Sequence, residues 1–132
     1  MAINSAPITS ALQRMMDYLG ARQSVINRNI ANANTPGYLA QDVERPDFFS
    51  QLEKPAQQMF RTDAEHAGGE EISSRYKIKE IEDATASPNG NTVSLQEQMI
   101  ALSNVRLEHQ EALSVYRKIQ DMFRVALGSS SA

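Results

Sequence analysis

Asp63 and His66 lie three residues apart and could in principle act as an acid–base pair or as metal ligands. With His109 and nearby carboxylates they are what a small enzyme would have to use. The sequence has no cysteine, and no further histidine or carboxylate cluster completes such a site. It also lacks a nucleophile–base constellation and a Gly-rich phosphate loop. We therefore expect Asp63 and His66 to be structural or solvated, and we expect no catalysis, metal or cofactor.

Composition narrows the class of protein further. The chain has 132 residues, which suits one domain, and a net charge of −3 with no Lys/Arg cluster. Nucleic acid and anionic membranes are therefore poor partners. No apolar run approaches the roughly 18 residues of a membrane span. Met1–Ser5 lacks the basic and apolar regions of a cleavable secretory signal, so we expect none.

A long amphipathic helix is predicted over Pro7–Ala33, since proline suits a first helical turn. Arg22 and Asn29 fall on its apolar seam, where polar groups either fix the register or point to solvent as the seam drifts. At roughly 40 Å such a helix needs a partner to cover that seam. Its core residues recur at steps of three, four and seven: Ile8, Leu12, Met15, Leu19 and Ile26.

The helix is predicted to stop at the string Ala31–Tyr38. Thr35 precedes a proline and is pushed toward an extended conformation. Pro36 suits the second position of a β-turn, and Gly37 suits the third position of a type II turn, which requires a positive φ. Asn32 and Asn34 can cap the last helical carbonyls.

The middle of the chain, residues 39–92, is rich in glycine, proline and charge. Leu39–Glu44 is mixed in composition and could be extended, whereas Tyr76–Lys79 alternates apolar and basic residues, which is a weak strand pattern. Asp47 can cap a short helix that carries Phe48, Phe49 and Leu52. Pro88–Gly90 reads as a turn. The segment is too long for a simple loop, so it is either a small β-containing subdomain or a partly disordered insert.

A second long helix is predicted to begin at Ser94, which forms a capping box with Glu97, and to end near Leu127. One apolar stripe is assigned to the contact with the first helix, because antiparallel pairing could bring its polar breaks, Arg106 and His109, near Arg22 and Asn29. Its residues are Leu95, Met99, Leu102, Leu113 and Tyr116. A second stripe beside it, which also includes Val105 and Ala112, is assigned to neighbouring subunits: Val115, Ile119, Met122 and Ala126.

The predicted fold is therefore mainly α, with residues 1–38 and 93–132 paired as an antiparallel coiled coil around the irregular middle segment 39–92. One partner helix cannot cover both stripes of the second helix. The surplus apolar surface must meet other copies, because soluble monomers avoid large exposed patches. Physical reasoning alone thus favours a self-assembling structural protein.

Residues 31–38 resemble the Ala-Asn-x-x-Thr-Pro-Gly-Tyr signature of the flagellar axial proteins, the rod and hook family. Every signature position is filled: Ala31, Asn32, Thr35, Pro36, Gly37 and Tyr38. Residues 89–99 resemble the Asp-Gly-Asn-x-Val-x-Leu-x-x-Glu-Met segment of proximal rod subunits, with Asn89 replacing the aspartate and Gln98 replacing a common acid. Residues 61–66 are similar to a Thr-x-x-x-His segment of the same subfamily.

The resemblance implies a structural, non-enzymatic subunit of the proximal rod, which self-assembles into the periplasmic drive shaft of the bacterial flagellar basal body and is needed for motility. The partners it implies are other rod and basal-body proteins, further copies of the chain and the flagellar type III export apparatus. Export without a cleaved signal is implied as well. A neighbouring rod subunit of the same family is the alternative.

Overall fold

The computed structural model describes residues 7–48, 75–81 and 85–128. Along the chain these residues form helix α1 (Pro7–Ala31), strand β1 (Gln41–Val43), strand β2 (Ile78–Glu80) and helix α2 (Leu95–Ala126). The fold is mainly α, as predicted. Strand β1 lies within Leu39–Glu44, and β2 overlaps Tyr76–Lys79 and ends one residue beyond it.

The two helices run antiparallel along each other. Near one end of the pair, Gln13 donates a hydrogen bond to the Tyr116 hydroxyl over 3.3 Å. Near the other end, the Asn29 amide donates to Gln98 Oε1 over 2.9 Å. Residue numbers thus rise along α1 as they fall along α2, which confirms the predicted pairing of the two ends of the chain.

The helix termini are set by side chains that satisfy orphan backbone groups. Ser94 has an extended backbone, and its Oγ accepts from the Glu97 N–H over 3.4 Å, which starts α2. At the end of α1 the Asn32 amide donates to the Arg28 carbonyl over 2.8 Å. The Thr35 N–H then bonds the Asn32 carbonyl in a turn, so α1 ends at Ala31, two residues before the predicted Ala33.

A two-stranded antiparallel sheet joins the segments that follow α1 and precede α2, with Asp42 opposite Lys79. The core lies between this sheet and the two helices. Tyr18 is 2% exposed at its centre, with ring centroids 5.4 Å from Phe48 and 5.9 Å from Tyr76. The other buried members of the core are Leu19, Val25, Ile26, Val43 and Val105.

Neither of the described helices combines the length and the apolar character that crossing a membrane would require.

Candidate functional site

The turn after α1 has the conformation that its residues predict. The Tyr38 N–H donates to the Thr35 carbonyl over 3.3 Å, which closes a four-residue turn. Gly37 has a φ of 74°, whereas proline at the preceding position is confined to a negative φ. A negative φ followed by a positive one defines a type II turn, and at that third position glycine avoids the Cβ clash.

A second turn precedes α2. The Gly90 N–H donates to the Ser87 carbonyl over 2.8 Å, and the Ser87 N–H donates to the Asn91 carbonyl over 2.7 Å. Pro88 presets the φ of the first central position, and Gly90 follows with a φ of 78°. This is a type I turn closed by a left-handed glycine, which brings Asn91 back toward the chain that entered the turn.

The two turns bind each other, and together residues 32–38 and 87–92 form what we call the clasp. The Gly37 N–H donates to the Asn89 carbonyl over 3.0 Å, and the Thr92 N–H donates to the Tyr38 carbonyl over 3.0 Å. A Cβ built on Gly90 would lie 3.5 Å from the Gly37 Cα, so the two backbones are in direct contact. The clasp therefore joins the end of α1 to the start of α2.

Asn91 is the side chain that closes the clasp, and it is only 2% exposed. Its amide nitrogen donates to the Asn32 carbonyl over 2.9 Å and to the Thr35 carbonyl over 2.7 Å. Its Oδ1 accepts from the Val93 N–H over 2.7 Å. One buried amide thus satisfies backbone groups on both turns.

Asn29 forms a second buried polar centre just inside the clasp, with 0% exposure. Its amide nitrogen donates to the Gln41 carbonyl over 2.7 Å and to Gln98 Oε1 over 2.9 Å. Its Oδ1 accepts from the Gln41 N–H over 3.1 Å and from the Tyr38 hydroxyl over 3.2 Å. All four hydrogen-bonding positions of the amide are filled, across α1, β1 and α2. Burial raises the pKa of Tyr38, so its hydroxyl keeps the proton it donates.

Arg22 also points into the structure. Its guanidinium makes two hydrogen bonds to the Asp42 carboxylate, over 3.0 and 3.1 Å, which tie α1 to β1. Burial lowers the pKa of Arg22, but the hydrogen bonds and charge of Asp42 outweigh it and the pKa is raised. Arg22 and Asn29, the polar residues on the seam of α1, therefore make fixed contacts within the chain and do not point to solvent.

The α1 residues assigned to the helix pair differ in burial. Leu12, Leu19 and Ile26 are buried, and Met15 packs at the edge of the core. Ile8 is 42% exposed near the described start of the helix, so it is not a core residue.

For α2 the assigned face is wrong in part. Leu95 and Met99 are 50% and 53% exposed, while Leu102, Leu113 and Tyr116 are half-buried at the border of the contact. The residues that α2 buries are instead spaced by seven: Gln98, Val105 and Ala112. The physical reason is Asn29, which needs a polar partner and rotates Gln98 toward α1. Arg106 and His109 are exposed and do not meet Arg22 and Asn29.

The stripe assigned to neighbouring subunits divides in the same way. Val115 is 47% exposed, Met122 is 62% exposed and Ala126 is exposed. Ile119 is half-buried, because it continues the buried seven-residue series that ends at Ala112. Three of the four residues thus lie open on the surface of one chain.

Asp63 and His66 lie outside the described residues, as do Phe49 and Leu52. Phe48, which was grouped with the last two, is 5% exposed against Tyr18. Within the described parts of the chain, no three or more His, Asp or Glu side chains are grouped as metal ligands would be.

Sequence reasoning missed the roles of Gln98 and Asn91. In the sequence, Gln98 is only a departure from an acidic position, and Asn91 is only a residue that follows the predicted turn Pro88–Gly90. A usable signal was present for Gln98, since a polar seam residue such as Asn29 requires a partner on the facing helix. A spacing of seven from Val105 points to Gln98.

Comparison with known protein families matches residues 10–38 to the family described as flagella basal body rod protein. The matched segment covers most of α1 and ends at the last residue of its turn, so it includes Asn29 and the first half of the clasp.

Relatives that align with 75–89% of this chain carry a similar name. The flagellar basal body rod protein FlgB of Agrobacterium fabrum is 28% identical over 112 residues, which cover 83% of this chain and 84% of the relative. The protein of that name in Bacillus subtilis is 29% identical over 99 residues, 75% of this chain and 76% of the relative. That of Salmonella typhimurium is 27% identical over 133 residues, 89% and 91% of the two chains.

Proposed function

Because this chain belongs to the flagellar basal body rod protein family, we propose that it is a structural subunit of the proximal rod of the bacterial flagellum. One observation carries the proposal. The segment that matches the family folds into most of α1 and the first turn of the clasp, and the alignment with the Agrobacterium fabrum protein covers 83% of this chain, so it includes parts of both helices. The chain would act by occupying a place in the axial structure.

The clasp suits such a role mechanically. Backbone hydrogen bonds in both directions link its two turns, and buried amides fill the space between them. Because the clasp and Asn29 fix the helices at one end, the pair behaves as a unit with a defined register. A subunit in a torque-bearing shaft needs that fixed geometry.

We propose that Val115, Ile119, Met122 and Ala126 form a contact with neighbouring subunits. The support is the exposure of three of them on an isolated chain, together with Val125 at 73% and Leu127 at 72%. Burying one such aliphatic side chain contributes roughly 1.5–3 kcal/mol, and the contribution repeats in every subunit.

Met122→Asp tests this contact better than Ile119→Asp, since Ile119 is half-buried within its own chain. We expect Met122→Asp to be synthesised and folded but depleted from basal bodies. Asp121→Asn is the matched control: it alters an exposed neighbour and one exposed ion pair, a kind that contributes little. Normal incorporation of Met122→Asp would show that this surface does not contact neighbouring subunits.

The type III export apparatus is the further partner that we propose, since the rod lies outside the cytoplasm and no cleaved signal is expected. Blocking that apparatus should leave the chain inside the cell. Mass spectrometry of chains from the rod should find the N-terminal segment intact. A shortened N-terminus in assembled chains would contradict this route.

The function itself is tested by deletion and complementation. A strain without this chain should lose swimming, and the wild-type chain supplied from a plasmid should restore it. A deletion strain that swims normally would contradict the proposal.

A further inference from the structure

The outward side of α2 carries a continuous seam that α1 does not cover. We define the outer seam of α2 by its steps of four and three: Gln96, Ile100, Ser103, Leu107, Gln110 and Ser114. All six residues are exposed, with Ile100 at 55% and Leu107 at 56%, and none is charged. Leu95 and Met99 lie beside it and widen its apolar part. Depletion of charge is typical of the buried centre of a protein interface rather than of a solvated helix face.

The outward side of α1 has a seam with the same spacing. We define the outer seam of α1 by its residues: Gln13, Asp17, Gly20, Ser24, Asn27 and Ala31. All six are exposed, and the series is dominated by small side chains. Two of its members already have partners within the chain: Gln13 donates to the Tyr116 hydroxyl, and Asp17, the one charged member, is engaged by the Tyr76 hydroxyl at 2.7 Å and by Arg75 at 3.6 Å.

Gly20 is not explained by contacts within the chain. It lies inside α1, where glycine lowers helix stability relative to alanine. A Cβ built there would meet no other described atom within 4 Å, so the fold has room for a side chain. A site that gives up helix stability and leaves open space fits close approach by something outside the chain.

The two outer seams match each other in register. Within one chain, Asn29 faces Gln98 and the two helices are antiparallel. A residue of α1 and a residue of α2 therefore lie at the same height along the pair when their numbers have the same sum as 29 and 98. By this rule Gly20 lies at the height of Leu107, Ser24 at the height of Ser103 and Asn27 at the height of Ile100. Every member of one seam has a counterpart in the other, and the larger apolar residues meet smaller or polar ones. Such alternation of knobs and spaces is how helices interdigitate.

We propose that the outer seam of α2 binds the outer seam of α1 of a second copy of this chain, antiparallel and at the same level as the internal pair. The inference rests on the proposed function and adds the surfaces by which copies meet side by side. The two seams are different surfaces, so the contact is heterologous and leaves a free seam at each end for further copies. Neither seam brings an unpaired charge into the interface, which keeps the desolvation cost low.

The test is a disulfide between the seams, in a chain that has no native cysteine. Ser24→Cys and Ser103→Cys are combined, because each exchange is nearly isosteric. Within one chain these positions cannot be bridged. They lie on outer sides of helices whose axes are at least roughly 8 Å apart, so the Cα atoms are separated by about 10 Å or more. The control combines Ser24→Cys with Ser114→Cys, about 16 Å farther along the same seam.

Basal bodies carrying each pair are purified, oxidised and run without reductant. We expect Ser24→Cys/Ser103→Cys to give linked dimers and higher multimers, roughly tenfold more than the control pair, because disulfide geometry is strict. Incorporation without crosslinking would overturn the inference while leaving the proposed function intact. Absence of the wild-type chain from basal bodies would instead overturn the proposed function.

Gly20→Gln gives a second, independent result. Glutamine is a better helix former than glycine, so the free chain should be at least as thermally stable as wild type. The longer side chain should nevertheless reduce incorporation roughly tenfold by filling the space opposite Leu107. Gly20→Ala is the control and should be incorporated normally. Normal incorporation of Gly20→Gln would overturn the inference.

Discussion

Two buried asparagines, Asn29 and Asn91, fix the register of the helices and the contact of the two turns, which an apolar seam cannot do. Apolar contacts tolerate a slide of one helix along another, whereas Asn29 binds Gln98, Gln41 and Tyr38 in directions that hold at one register only. Asn91 does the same for the two turns of the clasp. Buried polar groups of this kind fix a unique arrangement because an unmade bond is costly.

Replacing Asn29 with leucine should lower the free energy of unfolding by about 2–4 kcal/mol, because at least two buried groups then lose their partners. Asn27→Leu is the control, since Asn27 lies two residues away and is exposed. Urea denaturation of both variants measures the difference. Equal midpoints would show that the Asn29 network does not stabilise the chain.

Gly37→Val should cost on the order of 1–3 kcal/mol, because φ at this position is 74° and a β-branched residue is strained there. In cells the protein should still be made while motility is lost. Gly37→Asn should retain more stability, since asparagine tolerates the left-handed conformation. A Gly37→Val strain that swims normally would show that the positive φ is not required.

At the element scale, the existence and pairing of the helices followed from sequence pattern, but the facing side of α2 did not. α1 has one apolar seam interrupted by polar residues, so its inward face was readable. α2 has apolar residues almost all around, from Val105 inward to Leu107 outward. Pattern alone cannot rank such stripes. The choice is made by Gln98, a polar residue that a search for apolar stripes passes over.

The turn after α1 was predictable because Pro36 and Gly37 have strong local preferences. Its partner turn could not be placed from sequence, because the contact joins residues more than fifty positions apart. Local rules specify each turn, and the long-range hydrogen bonds of Asn91 specify that they meet.

Asn91→Ala therefore tests the clasp as an element. We expect a loss of about 1–3 kcal/mol, since the Val93 N–H loses its partner and the carbonyls of Asn32 and Thr35 keep only the hydrogen bonds of their own turn. In a double-mutant cycle with Gly37→Val, the double mutant should lose less stability than the sum of the two single losses, because each change opens the same clasp. Fully additive losses would mean that the turns act independently. Asn104→Ala, on the exposed side of α2, serves as the control.

At the scale of the whole molecule, one chain leaves much of α2 uncovered. The part from Gln98 to Ala112 packs on α1, while Met122, Val125 and Leu127 are 62–73% exposed. Isolated helices are marginal in water, and most helix stability in proteins comes from packing. A free subunit should therefore be unevenly ordered, and assembly should complete its folding.

Amide hydrogen exchange on the dilute chain should reveal this gradient. We expect stronger protection across residues 98–112 than across residues 115–127, because the buried residues of α2 all lie in the first part. In purified basal bodies the two parts should be protected alike. Equal, strong protection along all of α2 in the free chain would show that assembly is not needed to order it.

If this chain is a structural subunit of the proximal rod, it must be present in that part of the basal body, and its location there can be measured. Basal bodies are purified from the source cells, and the chain is mapped with an antibody and by the fit of α1, the clasp and α2 to a cryo-electron microscopy density. We predict that the chain is retained through purification and that its helix pair fits repeated density in the proximal rod. Absence of the chain from the particles, or its location in another part of the flagellum, would contradict the claim.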